Sequence, residues 1–138
     1  MTHTSVVNLK RGERCDVYMG RASSAWRARP LLDPGARWNG LDGFYGNPFP
    51  AMHGRGSALG HFLPWFHRKV ATDPVYLERV LSLRGLRLAC FCAPLPCHAR
   101  IIADWIDAFP EDWAWAFLEV VRRQAAARSE VSPRSCSA

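Results

Sequence analysis

The amino-terminal part of the chain alternates between short β-favouring runs and a polar turn. SVVNL begins at Ser5 and CDVYMG begins at Cys15, with the polar segment KRGER between them. β-Branched and aromatic residues fit a pleated, half-buried surface, whereas charged residues with a glycine favour a turn. The pattern therefore predicts two strands near the amino terminus.

Residues 21–56 show no steady period of apolar positions. The span holds four prolines and six glycines, and connections of this length in compact domains are usually functional or disordered. Disordered segments are poor in aromatic residues, which argues against disorder here and for an ordered, functional loop. The aromatic residues of the span are Trp26, Trp38, Phe44, Tyr45 and Phe49.

Helical spacing begins at residue 57, and two helices are predicted before residue 86. In the first, four apolar residues follow one face of a helix, and Pro64 should kink or split it. In TDPVYLERVLSLRG, Asp73 is a candidate N-cap, Pro74 suits the first helical position, and Gly85 is a candidate stop. The four apolar residues of the first helix are Leu59, Phe62, Leu63 and Phe66.

One strand and two helices are predicted in the last third of the chain. LRLACFC carries no charge after Arg87 and has helical patterns on either side, which predicts an inner strand buried on both faces. PCHARIIADWIDAF and PEDWAWAFLEVVRRQAAAR follow as helices, and we expect Trp105, Phe117 and Val121 to be core residues. The inward positions predicted for the two helices are Ile101, Ile102, Trp105 and Phe109, and then Trp113, Phe117, Val120 and Val121.

The order of elements indicates the fold class. Two strands, a long loop, helices, a strand and two more helices predict a small, single-domain, layered α/β fold, Rossmann-like, with a mixed or partly parallel sheet flanked by helices. We place this domain at residues 1–128. Residues 129–138, which include Cys136, are expected to form a flexible polar tail.

Composition narrows the class of protein further. The 138 residues are 49% apolar, which suffices for one core. The sequence contains no run of about 18 apolar residues, so no membrane span is expected. The amino terminus lacks the basic-then-apolar order of a signal peptide, so we expect a cytoplasmic protein. The net charge of +6 comes from sixteen arginines and two lysines, which suits nucleotides or nucleic acid as partners. The arginines are scattered, however, and such a balance also follows from codon composition.

Three of the five cysteines lie in LACFCAPLPCH, residues 88–98. Residues two apart in a strand share a face, so Cys90 and Cys92 point the same way, while Cys97 and His98 fall in the first turn of the next helix. The cluster thus lies at the carboxyl end of a strand, where ligands usually bind in open α/β sheets. Without a secretory signal, these cysteines favour thiols or ligands over disulfides.

Three interpretations of the cluster remain open. Cys90, Cys92, Cys97 and His98 are a possible ligand set for zinc or an iron–sulfur cluster, although the usual spacing is Cys-x-x-Cys. Alternatively, the helix N-terminus binds an anion, and His98 as imidazolium lowers the pKa of Cys97, which becomes a candidate nucleophile. The third interpretation is core packing, because free cysteines are often buried.

Several motifs together resemble a family of bacteria and phages, domain of unknown function family 4326. They are the strand end Tyr18–Arg21, the segment Gly46–Phe49, and Leu83–His98. The resemblance spans roughly residues 5–107. This sequence departs from the family pattern at Ala99, where glycine is common, and in a longer insertion between the first two motifs.

The resemblance implies that the three motifs meet at one site. Arg21 would then offer a bidentate fork to an anion, Asn47 an amide, and Phe49 a ring that stacks on a base or fills the core. With Cys92 nearby and Cys97 and His98 as the catalytic candidates, we expect a site for a small, nucleotide- or nucleoside-like anion. An enzyme with this site would be a hydrolase or transferase acting on a nucleotide or modified base, for example by glycosidic cleavage or transfer. The alternative is a zinc- or iron–sulfur-stabilised module that binds nucleic acid.

Overall fold

The sheet has three strands, all parallel. The computed structural model describes residues 3–49, 55–91 and 97–136, with the backbone alone at 55–57 and 131–136. Strands β1 (Ser5–Asn8) and β2 (Val17–Tyr18) both pair with β3 (Arg87–Cys90), which lies between them. Leu88, Ala89 and Cys90 are buried. The prediction of an inner, buried strand is confirmed over these residues, whereas Cys92 lies outside the described residues.

Four helices follow the long loop. They are α1 (Arg55–Thr72), α2 (Pro74–Leu81), α3 (His98–Asp107) and α4 (Glu111–Cys136). Short 3₁₀ turns occupy Leu9–Arg11, Ala22–Arg27 and Arg29–Leu31. The chain is therefore an α/β protein, as predicted. Within the described residues, no helix is both long enough and apolar enough to cross a bilayer.

The two faces of the sheet have different cover. Val17, Leu88 and Cys90 belong to a large core built with all four helices. Tyr18 and Ala89, which point the other way, belong to a smaller core with residues of the 3₁₀ turns and of the β1–β2 connection. The helices thus pack on one face, and irregular chain covers the other. The irregular segment that contains Asn39 also shields the free edge of β2, because the amide of Tyr18 donates to the Asn39 carbonyl at 2.7 Å.

The capping prediction for α2 is confirmed at its start. Asp73 is the N-cap, and its carboxylate accepts hydrogen bonds from the amides of Val75 and Tyr76, each at 3.1 Å. The helix ends at Leu81, earlier than expected, and Gly85 with φ 78° lies in the turn that leads to β3.

Helix α1 runs unbroken through Pro64, so Pro64 does not split it, and the alternative of a kink stays a prediction. Pro64 and Gly60 are exposed, so water can satisfy the carbonyl that loses its helical hydrogen bond. Leu63 is exposed rather than inward. The buried positions of α1 are Ala58, Phe62, Phe66 and Val70.

The stripe of residues that α4 buries lies next to the stripe that was predicted. Val121 is buried as expected, and Trp105 and Phe117 are partly buried against the core, but Trp113 and Val120 are exposed. The buried stripe has the same i, i+4, i+7 spacing, so periodicity alone could not choose between the two. Its members are Ala114, Leu118 and Val121.

Helix α4 continues to Cys136, so the described backbone of the expected polar tail is helical, and the flexibility of that tail stays a prediction. Alanine, arginine and glutamate at positions 122–130 are good helix formers, which favours this extension.

Candidate ligand site at the carboxyl edge of the sheet

The end of β2 is shaped by a tyrosine that folds back on its own strand. The hydroxyl of the buried Tyr18 donates to the carbonyl of Arg21 at 2.8 Å. A Cβ on Gly20 would lie 2.3 Å from that hydroxyl oxygen, so the position requires glycine. The Tyr-x-Gly-Arg motif is therefore a local folding device that places Arg21 just beyond the strand.

Residues 39–49 pack closely against this strand end. Gly40 has φ 78°, and a Cβ there would lie 2.0 Å from the carbonyl oxygen of Tyr18. Only glycine allows this approach. Farther along, the buried Tyr45 donates from its hydroxyl to the Arg79 carbonyl of α2 at 3.2 Å, which fixes the loop to the helical layer.

Arg21 holds the Gly46–Phe49 segment through backbone carbonyls. Its Nη2 donates to the carbonyl of Phe49 at 3.0 Å and its Nε to that of Asn47 at 3.4 Å. The side-chain oxygen of Asn47 accepts from the Phe49 amide at 2.9 Å, which closes a tight turn. Arg21 is exposed, and these two bonds use two of the five guanidinium N–H groups.

The Phe49 ring points towards α1. It is partly buried against the large core, with its centroid 5.5 Å from the His61 ring and 6.3 Å from the Trp65 ring. Of the two roles expected for Phe49, this position corresponds to filling the core.

Cys97 and His98 lie at the start of α3, as predicted. Cys97 is the N-cap with an extended backbone, and its side chain makes no capping bond. Its sulfur is buried 3.5 Å from the sulfur of Cys90. His98 donates from Nε2 to the Met19 carbonyl at 2.6 Å, and its ring meets the Phe62 ring edge-on with centroids 5.4 Å apart.

The pKa directions oppose the expected imidazolium–thiolate pair. Burial lowers the pKa of His98, and the Arg21 cation lowers it further, while hydrogen bonds to the carbonyls of Met19 and Tyr45 act the other way. The hydrogen bond with Cys90 and burial raise the pKa of the Cys97 thiol. His98 is therefore neutral near pH 7, and Cys97 is a thiol.

The metal alternative finds partial geometric support. Two sulfurs 3.5 Å apart are close enough to share one ion of zinc size. His98, however, is turned towards the Met19 carbonyl, and no group of three suitable side chains exists within residues 3–49, 55–91 and 97–136. Cys92, the remaining candidate ligand, lies outside the described residues.

A surface depression of about 300 Å³ lies where β2 meets the loop. Arg21 and Asn47 both line it, and so does Asp42, which sequence reasoning missed. The Asp-Gly pair at residues 42–43 is a turn signal that marks the position. Among the described residues, those that line it are Arg21, Ala22, Asp42, Gly43, Gly46, Asn47 and Pro48.

The three sequence motifs therefore come together at the carboxyl edge of the sheet. His98 contacts the backbone of Met19, within the first motif, and of Tyr45, next to the second. Arg21 contacts the second motif directly. Many of these contacts end on backbone carbonyls, so side-chain patterns alone could not reveal the partners.

Comparison with known proteins assigns the family. The model of the family described as Domain of unknown function (DUF4326) matches residues 6–108. A protein of Enterobacteria phage T4, described as an uncharacterized 12.4 kDa protein in the nrdA-td intergenic region, is 34% identical over 70 residues. The match covers 50% of this chain and 65% of the phage protein's length. No solved structure matches the chain significantly. From the family match over most of its length, the chain belongs to the DUF4326 family.

Proposed function

We propose that this chain is a cytoplasmic domain that binds a small, phosphate-bearing ligand of nucleotide type at the carboxyl edge of its sheet. The observation that carries the proposal is that Arg21 and Asn47, from two separate motifs, line one depression at the end of β2. In open α/β sheets, this edge is where ligands usually bind. The proposal includes a Rossmann-like layering of sheet and helices, because ligands of such folds bind at the carboxyl edge of the sheet.

Arg21 supplies the positive charge for the ligand. It forms no ion pair with the described carboxylates, and its two hydrogen bonds end on neutral carbonyls. The remaining N–H groups of the guanidinium suit phosphate, which accepts planar, bidentate hydrogen bonds. Asn47 lies in the same lining and adds a side-chain amide.

Any reaction at this site is a further proposal. The expected chemistry is cleavage or transfer at a glycosidic bond of a nucleotide or modified base. A neutral His98 can accept a proton at pH 7 only through the ring nitrogen that does not hold Met19. Cys97 needs a ligand-induced change to become a thiolate, because its pKa is raised in the structure.

Calorimetric titration with inorganic phosphate and nucleotides tests the binding proposal. Arg21→Gln should weaken binding about tenfold or more, since a hydrogen bond to a charged group contributes about 1.5–3 kcal/mol. Arg68→Gln, an exposed arginine on α1, should leave affinity unchanged. Thermal melting of each variant separates loss of binding from loss of folding. Absence of binding by the wild type at millimolar ligand, or equal binding by Arg21→Gln, contradicts the proposal.

Cys97→Ser, measured in the same titration, tests the catalytic candidates. If Cys97 acts on the ligand, this variant should bind normally and lose turnover of any nucleotide that the wild type converts. If the variant turns the nucleotide over as fast as the wild type, Cys97 takes no part in the reaction.

The second candidate function is a metal-stabilised module that binds nucleic acid. The 3.5 Å separation of the Cys90 and Cys97 sulfurs favours it. Elemental analysis of the purified protein and melting with and without a chelator test the metal. A DNA mobility shift at several salt concentrations tests the partner, because binding through arginines weakens steeply with salt. Stoichiometric metal with chelator-induced unfolding would support this candidate over the first.

A further inference from the structure

A second depression borders the first, and Asp42 lines both. The second has a volume of about 380 Å³ and lies along residues 36–42, with Arg79 of α2 closing one side. Asp42 is the lining residue that the two depressions share, and we call the pair a two-lobed groove, with Arg21 in one lobe and Trp38 in the other. In the part of the chain that the structure describes, the second lobe is lined by Ala36, Arg37, Trp38, Asn39, Gly40, Leu41, Asp42 and Arg79.

Trp38 belongs to a stack of aromatic rings and guanidinium groups. The guanidinium carbon of Arg79 lies 4.1 Å from the Phe44 ring centre and 5.2 Å from that of Trp38. Arg37 lies over Trp38 at 4.2 Å. Aromatic rings and arginine planes are the two surfaces on which proteins stack nucleobases.

Arg37 is the member of this stack that a ligand can displace. Its side chain is 72% exposed, and its ion pair with Glu78 is long, at 3.7 Å. Such exposed pairs contribute little stability. Arg79, by contrast, is held between two rings and pairs with Asp42 at 3.4 Å. A flat ligand can therefore replace Arg37 on Trp38 at small cost.

Asp42 lies between the two lobes with capacity for another hydrogen bond. Its Oδ1 accepts from the Phe44 amide at 3.1 Å, its Oδ2 faces Arg79, and the side chain is 60% exposed. A carboxylate has about four acceptor positions, so a hydroxyl group can donate to it. A second phosphate is disfavoured there, because the carboxylate repels it.

We propose that the groove takes a ribonucleoside monophosphate, an inference that rests on the proposed function and extends it. The phosphate binds Arg21, the ribose 2′-hydroxyl donates to Asp42, and the base stacks on Trp38 in place of Arg37. The order of the three groups along the groove is the order of phosphate, sugar and base in a mononucleotide.

Calorimetry with four ligands tests each part of this assignment. The four ligands are inorganic phosphate, ribose 5-phosphate, AMP and dAMP. AMP should bind about tenfold or more tightly than ribose 5-phosphate, because stacking of one base contributes on the order of a tenfold gain in affinity. AMP should also bind several-fold more tightly than dAMP, which lacks one hydroxyl.

Variants at Trp38 and Asp42 assign each preference to its residue. Trp38→Leu should abolish the preference for AMP over ribose 5-phosphate and leave phosphate affinity unchanged, and Trp38→Phe should keep part of that preference. Asp42→Asn keeps the oxygen that Phe44 needs but should remove the preference for AMP over dAMP. The matched control is Trp26→Leu, because Trp26 is 71% exposed and lies outside both lobes.

The outcomes separate this inference from the proposed function. If phosphate binds through Arg21 but no nucleotide binds more tightly than ribose 5-phosphate, the nucleotide assignment is wrong and the anion site stands. The same conclusion follows if Trp38→Leu, folded by its melting curve, keeps the full preference. If no phosphate compound binds the wild type, the proposed function itself is overturned.

Discussion

The two edges of the sheet use arginine in opposite ways. At the amino edge, Arg87 donates to the carboxylates of Asp16 and Asp33, and Arg14 pairs with Asp33 as well. At the carboxyl edge, Arg21 donates to two neutral carbonyls. The first edge therefore satisfies its charges internally, whereas Arg21 at the second forms no ion pair with the carboxylates of the described residues. An arginine at a sheet edge therefore indicates a ligand site only when its own hydrogen-bond partners within the protein are known.

The largest effect that we expect is at the carboxyl edge, from His98→Ala. His98 joins α3 to the end of β2 through the Met19 carbonyl, so its removal leaves a buried acceptor without a donor and a cavity beside Phe62. Together these should lower the free energy of unfolding by about 2–4 kcal/mol. Urea unfolding followed by fluorescence measures the loss. A change below about 1 kcal/mol would show that the hydrogen bond from His98 to the Met19 carbonyl does not stabilise the packing of α3 on the end of β2.

The next effect concerns the amino edge. Arg87→Met removes the shared partner of Asp16 and Asp33 and should lower the free energy of unfolding less than His98→Ala does, since Arg87 is 40% exposed and its ion pairs are screened by water. Arg21→Met should cost less stability but should lose phosphate binding, which Arg87→Met keeps. Equal stability losses for Arg87→Met and the exposed control Arg68→Met would contradict the contrast between the edges.

The smallest effect is a difference in pH dependence. The pKa of His98 is lowered from 6.5, mainly by burial. As the pH falls below about 6.5, the unfolded chain therefore binds a proton that the folded chain excludes, and stability decreases until the folded-state pKa is reached. The pKa of Asp16 is lowered from 3.8, mainly by its hydrogen bonds with Arg87. Its contribution is present above about 3.8 and is lost as the pH falls through the folded-state value.

Unfolding at pH 7.5, 5.5 and 3 separates the two edges. His98→Asn should flatten the change between the first two values, and Arg87→Met the change between the last two. His67→Asn, at an exposed position of α1, is the control. A wild-type stability that is the same at pH 7.5 and 5.5 would exclude the His98 contribution.

Local signals in the sequence predicted what depends on near neighbours. The Asp73 cap and the buried β3 strand were predicted because a cap acts within three residues and a buried strand excludes charge along its own length. The buried stripe of α4 is Ala114, Leu118 and Val121 rather than the predicted one, because both stripes have the same period and only packing against α1 and α2 distinguishes them.

The candidate site was predictable in its place but not in its chemistry. The meeting of Arg21, Asn47 and His98 at one sheet edge was implied by the family resemblance, and the rule for strand ends placed the cysteine cluster at that edge. The acceptors of Arg21 and His98 are backbone carbonyls brought in from elsewhere in the chain, and no side-chain pattern encodes them. Asp42 and Trp38 were missed as site residues because they lie in a loop without a period.

The strand order β1–β3–β2 sets when the sheet can form. Both outer strands pair with β3, with Ser5 opposite Arg87 and Val17 opposite Leu88, so about 70–80 residues separate each outer strand from its partner. Chain closure over such distances is slow. During synthesis, β1 and β2 therefore have no partner strand until β3 has been made. Pulse-labelled hydrogen exchange should find their amides gaining protection together, after those of α1 and α2; earlier protection of β1 or β2 would show that another contact substitutes for β3.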